Sequence, residues 1–141
     1  MSVRIEVRYE GELHTRATHG PSGAALETDA PKDNEGKGES FSPTDLLATA
    51  LGTCMLTVMG ILARRKGWDL AGARVSVDKH MVAEPVRRVG RLELRFEMPP
   101  GLPADSHKLL ERAAHTCPVH QSLHPDVKVE TLFSWGTDLQ V

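Results

Sequence analysis

Segment 41–67, FSPTDLLATALGTCMLTVMGILARRKG, constrains this chain most, because a run so apolar and so free of charge has to be covered by something. Ser42 can accept orphan backbone N–H bonds, Pro43 suits a first helical position, and Asp45 places a carboxylate in the first turn. A helix over 42–66 follows. Leu47, Leu51, Met55 and Met59 recur at helical spacing, Ala50, Cys54, Val58 and Leu62 fill the next positions round, and no charged side chain falls between Leu46 and Ala63. Such a helix is expected to be buried on nearly every side. Arg64, Arg65 and Lys66 suit the negative end of its dipole, and Gly67 is placed to close it. Its length borders on that of a membrane span, but Gly52, Gly60 and the threonines dilute its hydrophobicity, so a central core helix with no membrane is the expectation.

The chain has 141 residues with 4% aromatics, enough for one domain but sparing in the large side chains that would cover such a helix, and a dimer would cover it naturally. Seventeen basic residues stand against 19 acidic ones, mixed in sign along the chain, so no basic patch recommends nucleic acid. The first residues alternate charges and contain no apolar h-region, so no signal peptide is expected and a reducing, cytoplasmic compartment is. In that setting Cys54 and Cys117 are not expected to be a structural staple.

Before the helix, Val3, Ile5, Val7 and Tyr9 alternate with charged residues, and returns over 13–18 and 24–28 complete a three-stranded meander within 1–29. Segment 30–40, APKDNEGKGES, reads as a mobile loop, a solvated linker or a lip over a nearby site. After the helix, 73–98 reads as a hairpin whose second strand alternates Leu92, Leu94, Phe96 and Met98 with charges. A second helical region over 103–123 carries Cys117 just before Pro118, where free N–H groups and the dipole favour a thiolate, and 127–135 reads as a last strand. The whole is a β3-α-β2-α-β, α+β single domain.

Two cysteines tied to helices can form a peroxidatic and resolving pair, in which a thiolate attacks a hydroperoxide and the resulting sulfenic acid condenses with the second thiol. An arginine would keep the attacking sulfur ionised, and Arg16, Arg87 and Arg88 are all open to that role. Two unrelated core cysteines are the plainer alternative. The cluster His115, Cys117, His120 and His124 raises a third, since Cys117 and His120 have ligand-like spacing for zinc, with His80, His107, Cys54 or a second subunit needed to close the set.

The segments SPTDLLATALGTCMLTVM and HTCPVHQSL together resemble the family of osmotically inducible protein C (OsmC) and organic hydroperoxide resistance protein, and the likeness covers nearly the whole chain. EPVRRVGRLEL and CPVHQSL look closer to its less characterised branch. The resemblance implies an intertwined homodimer whose sheets wrap two central helices, with sites at the subunit interface. It implies a cofactor-free, thiol-dependent peroxidase of organic hydroperoxides, re-reduced by a dithiol or a lipoylated protein. Matched by motif, Cys54 would be peroxidatic and Cys117 resolving, with Arg16 as the family arginine. Where the peroxidases carry a glutamate after the helix-opening proline, this chain has Thr44, with Asp45 one position on as the candidate acid. Leu51, Met55 and Val58 would supply an apolar substrate pocket. A family-fold module that binds a small ligand without peroxidase chemistry, or a metal-binding protein using Cys117 and His120, are the alternatives.

Overall fold

The computed structural model describes residues 1–136, which fall into two compact units, one ending at Leu47 and one starting at Ala48. In the first unit β1 (Ile5–Gly11), β2 (His14–His19) and β3 (Ala25–Asp29) form an antiparallel sheet in the order β1-β2-β3, the expected meander. Gly11 pairs with His14, so Glu12 and Leu13 make a two-residue hairpin with φ of 58° at both positions, the left-handed pair that matches the strand twist. The apolar alternation of β1 is present, yet Ile5, Val7 and Tyr9 are 58%, 65% and 63% exposed, so this face meets water where a core was expected.

Segment 30–40 has no apolar periodicity, and its order comes from hydrogen bonds. A turn of 3-10 helix (Lys32–Asn34) is followed by Glu35 at φ 69°. The Gly36 and Gly38 N–H groups donate to the Pro31 and Ala30 carbonyls, and the Glu39 N–H donates to Asp29 Oδ2 at 2.9 Å.

Helix α1 (Pro43–Lys66) starts in the first unit and opens on a reciprocal box: the Ser42 N–H donates to Asp45 Oδ2 at 2.9 Å and the Asp45 N–H to Ser42 Oγ at 3.0 Å. It closes where Trp68 N–H donates to the Ala63 carbonyl and Gly67, at φ 75°, to that of Arg64. Its buried residues are Ala48, Leu51, Gly52, Met55, Met59 and Ala63, a single stripe. Within one chain only a third of its most apolar window is buried, and Ile61 is 47% exposed. Within the second unit a single sheet is available to cover one side of the helix. By length and hydropathy alone α1 could cross a membrane, but its stripe packs on protein.

In the second unit β4 (Arg74–Val82), β5 (Arg88–Met98) and β6 (Lys128–Trp135) form a sheet ordered β4-β5-β6, antiparallel across the expected hairpin and parallel between β5 and β6. The parallel return needs a long crossover, which α2 (Ser106–Ala114) and α3 (Pro118–Ser122) provide. Leu92, Leu94, Phe96 and Met98 are buried, while Arg91, Glu93, Arg95 and Glu97 take the opposite face of β5. Phe96 stacks on Phe133 with ring centres 4.5 Å apart. Gly52 lets α1 approach β4: a Cβ there would lie 3.0 Å from Val77 Cγ2 and 3.3 Å from Val75 Cγ1.

Candidate redox site

Cys54 and Cys117 are both in the second unit, on α1 and at the α2–α3 junction, and both are free thiols. The fold brings them into contact. Cys117 is fully buried and its thiol is pushed up from the ordinary cysteine value, first by burial and then by its hydrogen bond to Cys54, while the His120 and Val119 N–H groups pull the other way. Cys54 keeps some solvent access.

The local sequence explains how Cys117 is held. It is the N-cap of α3, with extended backbone (φ −63°, ψ 142°) and Pro118 at the first helical position, and its Sγ accepts the His120 N–H at 3.3 Å. Free amides do gather here, as the sequence suggested. The thiolate they were expected to favour is not the outcome at Cys117, because desolvation outweighs them.

The histidines around the junction are engaged in structure. The His120 ring approaches the His115 carbonyl at 3.2 Å, His115 Nε2 lies 3.2 Å from Thr131 Oγ1, and burial lowers the His115 pKa. His80 bonds Glu93 at 2.6 Å, His107 stacks on Trp135 at 4.0 Å, and His124 accepts the Asp126 N–H. Among the described residues, the metal-range group of three or more His, Cys, Asp or Glu side chains is Glu10, His14 and Glu27, not a set built on Cys117 and His120.

Asp45 is committed to the helix cap, and Arg16, on β2, reaches Glu27 Oε2 at 3.9 Å. Leu51 and Met55 have no exposure, and Val58 is half-buried. Arg88 buries its Nη1 without a hydrogen-bond partner among the described residues. Sequence reasoning passed over His14, whose Nδ1 and Nε2 lie 2.5 Å and 2.8 Å from Asp29 Oδ1 and Glu27 Oε1. The available signal was cross-strand register, which pairs His14 with Asp29.

Residues 36–132 match the family model described as OsmC-like protein. The chain belongs to the OsmC family. A Psychrobacter arcticus structure, provisionally described as an osmotic stress induced and detoxification response protein, is 45% identical over 92% of this chain and 94% of its own, with a TM-score of 0.88. The OsmC organic hydroperoxide resistance protein of Legionella pneumophila is 18% identical over 95% of this chain and 97% of its own, with a TM-score of 0.75. An OsmC-like protein of unknown function from Vibrio cholerae, 12% identical over 94% and 99% with a TM-score of 0.78, shares the fold alone. No curated protein matches the chain. The α+β arrangement of two three-stranded sheets with helices is thus the OsmC-like one.

Proposed function

We propose that this OsmC-family chain is a thiol-dependent peroxidase that reduces organic hydroperoxides to alcohols. The observation that carries the reading is the interaction between a partly exposed Cys54 and a buried Cys117 whose thiol is pushed up by burial. Cys54 thiolate attacks the terminal peroxide oxygen, the O–O bond breaks, and the alkoxide leaves as alcohol after taking a proton. The Cys54 sulfenic acid then condenses with Cys117, releasing water and forming the Cys54–Cys117 disulfide. A dithiol or lipoylated protein supplies the two electrons that restore both thiols. Val58, backed by Leu51 and Met55, provides the apolar wall for the substrate. No cofactor enters the scheme. The exposed apolar residues of β1 and α1 support a homodimer in which a second copy covers them, and the free thiols fit a reducing cytoplasm. The description of the Psychrobacter relative as a detoxification protein points the same way.

One alternative has its own support. Asp45 is already used by Ser42, and Cys117 is pushed away from ionisation, as would suit an OsmC-like protein that holds a small ligand beside Cys54 without turnover. Intact mass and a free-thiol count on reduced protein, before and after one equivalent of cumene hydroperoxide, separate the two. Loss of two hydrogens and both thiols, with the linkage mapped between Cys54 and Cys117, is the expected result. Unchanged thiols overturn the peroxidase and leave the binding protein.

A further inference from the structure

The first unit carries a second cluster of titratable groups, centred on His14 and independent of the cysteines. His14 Nδ1 sits 2.5 Å from Asp29 Oδ1 and Nε2 sits 2.8 Å from Glu27 Oε1, with Glu10 Oε1 at 3.7 Å. Both close acceptors are carboxylates, so both ring nitrogens act as donors and the ring is an imidazolium. Asp29 is only 4% exposed, and its other oxygen accepts the Glu39 N–H at 2.9 Å. Glu27 is shared as well: its second oxygen lies 3.9 Å from Arg16. We propose that His14 is a proton-operated clamp, whose charged ring ties β2 to β3 and, through Asp29, fastens the segment preceding α1, and whose deprotonation releases Glu27 to Arg16.

The groups facing the ring are Glu10 from β1 and Glu27 and Asp29 from β3, with Arg16 beside Glu27 and Lys37 acting on Asp29 from the 30–40 segment. His14 is raised from its ordinary value, first by Asp29 and then by Glu27, and Asp29 is lowered, first by His14. The His14 contribution is complete below the ordinary histidine value of about 6.5 and is lost as pH rises through the raised one. The Asp29 contribution is present above the ordinary carboxylate value of about 3.9 and lost as pH falls through the lowered one. The clamp is therefore closed between the two shifted values. When the proton leaves, the Nδ1–H bond to buried Asp29 loses its charge assistance, so Asp29 and the Glu39 N–H that it holds are freer to move, and a bare Nε2 lone pair faces Glu27 and Glu10. Those carboxylates are repelled, and Arg16 is the near cation for Glu27.

The test is an NMR titration of the His14 ring with amide hydrogen exchange at Glu39 on the full chain, through neutral pH. The expected result is a His14 midpoint above about 6.5 and a roughly tenfold loss of Glu39 protection across it, beyond the ordinary base-catalysed rise. In His14→Gln that step disappears. In Glu27→Gln, which leaves Asp29 in place and serves if His14→Gln does not fold, the midpoint moves down. A midpoint at or below the ordinary value, Glu39 exchange indifferent to it, or a midpoint unmoved in Glu27→Gln overturns the clamp.

Discussion

Replacing Cys117 with alanine tests the junction apart from any redox chemistry, provided the protein is kept reduced. The substitution removes two things. The first is the sulfur that caps α3 by accepting the His120 N–H at 3.3 Å. Oxygen caps contribute about 1 kcal/mol and a thiol accepts more weakly, so roughly 0.5 kcal/mol is at stake. The second is a fully buried sulfur, comparable in size to a methyl group, whose loss costs about 1 kcal/mol in transfer and residual cavity. The sum is about 1.5 kcal/mol, which in a domain of this size lowers the melting temperature by about 6 °C. Cys117→Ser separates the parts, because its hydroxyl retains the cap while losing the volume. Thermal unfolding at fixed protein concentration with reductant gives the total, and exchange at the His120 amide gives the cap. An alanine variant that melts with the wild type, or a His120 amide no less protected in alanine than in serine, would refute this account of how the thiol is positioned.

Two further outcomes follow from other parts of the chain. Ser42→Ala and Asp45→Ala should each destabilise by about 1 kcal/mol in denaturant melts, since each removes one half of the α1 box; a neutral Asp45→Ala would mean that the carboxylate does not serve the cap. His115, lowered by burial and by His120, contributes stability that is present above about pH 6.5 and lost as pH falls toward its shifted value, so His115→Gln should flatten the fall in urea midpoint between about pH 7 and pH 5. An unchanged slope would place the acid sensitivity elsewhere.

Much of the fold was legible because its signals are local. The period-two pattern of β5, the box at Ser42 and Asp45 and the glycine closing α1 are each written in a few adjacent residues, and the structure realises them with small shifts at the ends. The paired cysteine segments likewise pointed to the family that the chain proves to belong to. Segment 30–40 was opaque for the opposite reason: its order comes from donors and acceptors that touch only after β3 and the turn have formed.

By itself the sequence determined the elements, their order, the caps that start and stop α1, and the two cysteine positions, since propensity and periodicity act between near neighbours. Tertiary structure alone decided three things. It put Cys54 beside Cys117 and buried the latter, so that desolvation overrode the nearby amides and pushed the thiol up. It left part of α1 and one face of β1 uncovered within the chain, because burial depends on which surfaces meet and an apolar pattern does not name its partner. It gathered Glu10, His14, Glu27 and Asp29 through strand register, a juxtaposition whose charges act over a few ångströms of space however far apart they lie along the chain.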